Sequence, residues 1–165
     1  MKFLLLHGLF LVFSFGAVAY VSFLEGTSKV QTQEKSLARD VSIRVFGEDG
    51  EEWRVQGREL VSFGPELSLL DVLLKSKGGY EVKANTITFQ RDKNLGVLKG
   101  NVEIRGEALF VKTENAIIDF SKNLLYGEGE VLVWKESNFI EGKGFKAYLK
   151  PLKVIISDVR TKHEI

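Results

Sequence analysis

Side chains able to move protons, attack carbonyls or hold metals are scarce in this sequence. There is no cysteine, which removes thiol catalysis, thiolate metal sites and disulfide frameworks. The two histidines are His7, in an apolar leader, and His163, near the C-terminus, so no histidine pair can converge on a metal or a nucleophile within the domain. Ser62, Ser68 or Ser137 would need a base to act as a nucleophile, and His163 is the sole candidate. Glu128 and Glu130 fall on one side of a strand, where exposure to solvent accounts for them. Glycosidase chemistry needs two carboxylates across a cleft, a geometry that sequence leaves open. Gly127-x-Gly129 and Gly142-x-Gly144 lack the third glycine of a dinucleotide loop and sit between strands, and no GxxxxGK segment is present. The expectation is a protein without catalytic residues, cofactor or metal.

What these residues sit on is a chain of 165 residues in three parts. Eighteen of the first 24 residues are apolar, three of residues 25–40, and 52 of residues 41–165. Phe3 to Leu24 carries no formal charge and, as a helix rising about 1.5 Å per residue, would cross a hydrocarbon core. Residues 1–24 are therefore expected as a transmembrane anchor, 25–40 as a periplasmic linker, and 41–165 as an exported domain. Lys2 is the only side-chain charge ahead of the span, a short basic flank that weakly favours the N-terminus inside. Ala17-Val18-Ala19 also fits a signal-peptidase site, but Tyr20 to Leu24 stays apolar beyond it, which favours a retained anchor. Both readings export the domain. His7 falls near the start of the span, at the depth of the interface.

The domain carries 19 basic and 19 acidic residues, so it lacks the cationic surplus of a nucleic-acid binder. Its pattern has period two: Val41, Ile43, Val45; Trp53, Val55; Ile87, Phe89; Val102, Ile104; Val131, Val133; Val154, Ile156. Such short alternating runs predict half-buried antiparallel strands. Thirteen glycines in residues 41–165 supply turns at the spacing of a sandwich or barrel. Leu67–Leu74 is ambiguous, being apolar on both faces.

A repeat of 29 residues runs through the domain. Val82-Lys83-Ala84, Ile87, Lys93-Asn94-Leu95 and Gly100-Asn101-Val102 return as Val111-Lys112-Thr113, Ala116, Lys122-Asn123-Leu124 and Gly129-Glu130-Val131. They return again as Ile140-Glu141-Gly142 and Phe145-Lys146-Ala147, and a fainter copy begins at Val55-Gln56-Gly57. Repeats of this length predict stacked units with a continuous core, each of about four short strands, giving an all-β, elongated antiparallel roll. Ala84, Thr113 and Gly142, small at one repeated position, either leave an interior trough open or mark bends.

Anchor, spacer and repeat together resemble the LptC family of lipopolysaccharide-export proteins. The resemblance rests on Trp53-Arg54-Val55-Gln56-Gly57, Tyr80-Glu81-Val82-Lys83-Ala84, Leu98-Lys99-Gly100-Asn101-Val102-Glu103-Ile104, Val111-Lys112-Thr113-Glu114-Asn115-Ala116, Gly142-Lys143-Gly144 and Val159-Arg160-Thr161. It covers nearly all of residues 41–165; each motif is weak, and their order and spacing carry it. Soluble LptA-like relatives share the rung pattern, and the retained anchor separates the two. The resemblance implies a β-jellyroll held at the inner membrane by one helix. That jellyroll would accept lipopolysaccharide from an LptB/LptF/LptG-type ABC transporter and pass it to an LptA-type bridge protein, without catalysis of its own.

Carrying an acyl chain through water requires an apolar trough, since each exposed CH₂ costs about 0.8 kcal/mol. The inward residues expected to line it are Val41, Ile43, Val45, Trp53, Val55, Ile87, Phe89, Val102, Ile104, Val111, Ile118, Val131, Val133, Phe145 and Ile156. The other reading is a solid core in a scaffold that only recruits partners. Strand edges at Val41, Ile43 and Val45 and at Val154, Ile156 and Val159 are expected to dock partners by strand addition. Glu48, Asp49, Glu51 and Glu52 lie by the first strand; Lys143, Lys146, Lys150, Lys153, Arg160 and Lys162 crowd the last. Opposite ends of opposite sign would suit head-to-tail contacts.

Overall fold

The structure, a computed structural model, describes residues 35–164, with side chains as far as Arg160. The expected anchor, the processing site, His7 and most of the linker lie outside the described residues, as do the side chains of Lys162 and His163. Nine strands follow one another: β1 (Lys35–Gly47), β2 (Gly50–Phe63), β3 (Glu66–Ser76), β4 (Glu81–Gln90), β5 (Leu95–Arg105), β6 (Leu109–Asp119), β7 (Leu124–Lys135), β8 (Asn138–Leu149) and β9 (Leu152–Glu164). Each pairs antiparallel with the next, so the sheet order is the chain order, and β1 and β9 are its two edges. A single 3₁₀ turn, Arg91–Lys93, is the helical structure among the described residues, and no helix there is long and apolar enough to cross a membrane. The sheet reaches back to Lys35, into the stretch expected as linker.

The 29-residue unit is one hairpin of two long strands, not four short ones. The four-strand expectation arises because each long strand breaks register near its middle. Breaks fall at Lys83/Thr86, Lys99/Val102, Thr113/Ile117 and Gly127/Glu130. A residue inserted at a break flips the side-chain parity. In β4 the inward residues run Val82, Ala84, then Ile87; in β6, Val111, Thr113, then Ala116 and Ile118; in β8, Gly142, then Phe145 and Ala147. With parity reset, both halves of each strand turn apolar side chains to one core.

The repeated small position marks this bend. A Cβ on Gly142 would come within 2.4 Å of Ile156 Cγ2 and 2.6 Å of the Asp158 carbonyl oxygen. The Thr113 hydroxyl donates to the Glu130 carbonyl at 2.7 Å, across the break between β6 and β7. At Gly142 the space is filled by the neighbouring strand, so that residue leaves no trough.

Leu67–Leu74 resolves in the same way. Within β3, Leu67 and Leu69 face in; Asp71, at φ +52°, shifts the phase, and Val72 and Leu74 face in after it. Four of the apolar residues thereby share the inner face, while Leu70 and Leu73 stay half-buried on the outer one.

Candidate functional site

Two groups of inward residues differ in how they meet water. Trp53, Val55, Ile87, Val102, Ile104, Val111, Ile118, Val131, Val133 and Phe145, ten of the residues expected to line a lipid path, are packed core at 3% exposure or less. Val41, Ile43, Val45, Phe89 and Ile156 are half-buried against that core. Continuous open space along the whole roll is therefore absent among the described residues. The inner face opens instead at two separate clefts.

The first cleft, about 290 Å³, is lined by Ile43, Val45, Leu60, Leu67, Phe89, Leu95 and Phe120, with Gln90, Arg91 and Asn94 contributing polar groups. It forms where β1 lies over the ends of β2 to β5. The second, about 700 Å³, is lined by Leu109, Val133, Ile140, Leu152, Val154 and Ile156, by Tyr80, Gly106 and Ala108 from two turns, and by Lys135, Lys153 and Glu107. Small-ligand sites fall in roughly the 300–1,000 Å³ range with mostly apolar walls, which the second cleft satisfies. The two share no lining residue.

Contacts between distant turns bind the sheet to itself along a seam. The Trp53 indole N–H donates to Asn123 Oδ1 at 2.9 Å, across 70 residues of sequence. The Trp53 ring meets Phe120 edge-on, at a centroid separation of 6.4 Å. Beside it, Glu52 accepts from Asn123 Nδ2 at 3.5 Å and lies 3.6 Å from Lys150 Nζ. Asn123 holds φ +49° at the β6–β7 turn, as Asn94 holds φ +57° one repeat earlier. An asparagine tolerates this left-handed backbone better than most residues.

Charge is not sorted cleanly between the two ends. Glu52 of the acidic group pairs with Lys150 of the basic group, and Arg160 pairs with Glu130 at 2.6 Å. Glu51 is held by Arg54 at 2.9 Å and Arg44 at 3.8 Å. The Arg54 hydrogen bond, with the charges of Arg54 and Arg44 behind it, lowers the Glu51 carboxyl below its ordinary range.

A third groove, about 750 Å³, opens where β6 and β7 lose register; Val97, Ala116, Ile117, Tyr126 and Leu132 line it together with the charged side chains of Lys99, Lys112, Glu114, Glu128, Glu130 and Glu141. Of the serines, Ser62 donates to the Gly64 carbonyl, and Ser68 shares a hydrogen bond of 2.8 Å with Thr88. Of the edge residues expected to dock partners, Val159 is 54% exposed, while Val154 and Ile156 turn into the second cleft. Sequence reasoning missed Leu60, Leu67, Leu95, Phe120, Leu109, Ile140 and Leu152 as cleft walls, and Glu52, Asn123 and Lys150 as seam contacts. The repeated Lys-Asn-Leu turn is the one signal that points to Asn123.

The nine strands form an all-β antiparallel sheet with an LptA-like jellyroll fold. The crystal structure of LptH from Pseudomonas aeruginosa, described as the LptA-homologous periplasmic component of the lipopolysaccharide transport device, superposes with a TM-score of 0.51. It shares 16% identity, covering 68% of this chain and 93% of LptH. No protein-family model matches the chain. An uncharacterized protein of Aquifex aeolicus strain VF5 is 36% identical over 155 residues, covering 94% of this chain and 93% of that protein. The chain belongs to the family of this Aquifex protein.

Proposed function

We propose that the chain is an LptC-type component of lipopolysaccharide export, anchored in the inner membrane with its sheet in the periplasm. It accepts the lipid from an LptB/LptF/LptG-type ABC transporter and passes it to an LptA-type bridge protein. The observation that carries this reading is the second cleft. Its walls of Leu, Val and Ile suit acyl chains, and Lys135 and Lys153 beside them suit phosphate groups. The fold shared with LptH and the apolar Phe3–Leu24 segment support it. The edges β1 and β9 offer strands for docking at either end.

Photo-crosslinkers at Ile43, Phe89 and Ile156 should capture lipopolysaccharide when transporter and ATP are present. Crosslinkers at the exposed Arg44 and Lys112 should not. Equal capture at both sets, or capture at Arg44 and Lys112 alone, would end this reading. One observation favours a second, that of a scaffold that recruits partners without carrying lipid: most of the expected lining residues are packed core. Absence of lipid capture together with intact partner binding would establish it.

A further inference from the structure

The strand count sets how a second copy can meet this chain at an edge. Nine strands run antiparallel in chain order, so the two edges, β1 and β9, point the same way. Three joints add one edge to another and keep both apolar inner faces on one side of the combined sheet. Head to tail, β9 of one copy meets β1 of the next after a shift along the roll, and that joint is parallel. Laying β1 antiparallel on β9 instead would turn the next inner face outward. The other two joints, β9 to β9 and β1 to β1, are two-fold. Half a turn about an axis normal to the sheet reverses a copy's strands and keeps its inner face, so both are antiparallel. A parallel ladder is slightly less stable per residue and would interrupt an otherwise antiparallel sheet.

Of the two edges, β1 is the poorer for pairing. Its ladder shifts register at Ser36/Ala38 and at Val45/Phe46, and Asp40 between them holds φ +50°. Its exposed apolar residues, Leu37 and Phe46, sit at those shifts. Breaks of this kind turn backbone groups away from an incoming strand. The β8–β9 ladder has one shift, at Glu141/Gly142, and β9 exposes Ile155 and Val159 along its length. The bend then fixes the register. On β8 the inward residues step from Gly142 to Phe145 across Gly144, at φ +73°, so their partners Val159 and Ile156 face inward on either side of the bend in β9. Two such bends stack when the two-fold axis passes between Ser157 and Asp158. Ile156 of each copy then lies opposite Val159 of the other, an inward apolar pair made twice. A closed two-fold interface requires this self-complementarity.

We infer that two copies of this chain join through β9 as a two-fold pair, with Ile156 opposite Val159, and that the sheet does not grow head to tail through β9 and β1. The inference goes beyond lipid carriage and is tested apart from it.

The chain has no cysteine, so introduced thiols report the joint alone. In the full chain in detergent, I156C/V159C sets each thiol opposite one of the second copy. Three residues apart on one extended strand, about 10 Å, the two cannot bridge within a chain. Oxidation with copper phenanthroline should convert most of this variant to a covalent dimer and nothing larger. Separate chains carrying S157C and D158C, both exposed positions, should cross-link when mixed and leave the inner face untouched. V41C/V159C joins residues just past each bend in a head-to-tail contact, and it should stay monomeric. Light scattering of the unsubstituted chain should reach the protein mass of two copies as concentration rises and stop there. Multimer ladders from V41C/V159C, a mass that keeps growing, or a monomer at every concentration would each overturn the pair. A dimer mass with no disulfide in either β9 set would overturn β9 as its joint. None of these readouts depends on lipid, so the carrier reading stands or fails separately.

Discussion

Replacing Gly142 by alanine tests the bend that gives the sheet its two-faced strands. The added Cβ would lie 2.4 Å from Ile156 Cγ2 and 2.6 Å from the Asp158 carbonyl oxygen. A flexible side-chain tip can retreat, but a backbone carbonyl of β9 cannot move without the strand. Relief needs a shift of more than half an ångström at the β8–β9 register break between Glu141 and Gly142. Forced overpacking of this kind costs about 1–3 kcal/mol. For a domain of this size that lowers the midpoint by roughly 3–5 °C per kcal/mol, so a fall of about 3–15 °C is expected in thermal melts followed by circular dichroism. Hydrogen exchange should rise first in β9. Gly129→Ala is the matched control: the same atom is added one hairpin away, nothing lies within 4 Å of it, and it carries no positive φ. It should be neutral or stabilising by a few tenths of a kcal/mol. If G142A and G129A melt within a degree of each other, the bend is not packed as described and the meaning assigned to the repeated small residue fails.

Ile104→Ala, at a core position 1% exposed, should cost about 2–5 kcal/mol in urea unfolding; a loss under 1 kcal/mol would mean that the interior there is open. Val159→Glu, on the exposed part of β9, should leave the melt unchanged and weaken binding of a bridge partner five- to thirtyfold by surface plasmon resonance; unchanged binding removes β9 as the docking edge. In carbon-detected NMR titrations the Glu51 carboxyl should titrate below an ordinary glutamate, and Arg54→Gln should raise it. Because the folded state lowers this pKa, the ion-pair contribution is present above the ordinary glutamate range and is lost as pH falls through the lowered value. A Glu51 midpoint unmoved by R54Q would contradict the assigned cause.

Strand content and the inner face were legible from period two, because one face of each strand is buried and the other wetted. Val102, Ile104, Val111 and Val131 read correctly for that reason. The length of the strands was not legible: a register break flips parity, so a long bent strand reads as two short ones. Leu67–Leu74 concealed the same flip at Asp71, whose carboxylate Arg58 holds. The clefts were illegible because they form between strand ends that are distant in sequence, as at Ile43 and Phe89. Glu52 and Lys150 gave no warning, and for Asn123 the repeated Lys-Asn-Leu turn was the one signal, since a contact spanning 70 residues has no local signature. Inward direction was readable, but whether an inward residue meets lipid or another side chain depends on how closely the opposite half packs.

The most direct test of the carrier role fills the second cleft and leaves the outer groove as control. Ala108 lines that cleft, and Glu128 lines the groove at the β6–β7 break. Lipopolysaccharide transferred to the full-length chain from reconstituted transporter vesicles, read by photo-crosslinking at Ile156, should fall at least about tenfold in Ala108→Trp, the equivalent of roughly 1.4 kcal/mol, and hold its level in Glu128→Trp. Equal transfer to both variants would show that the lipid does not occupy the cleft and would contradict the account.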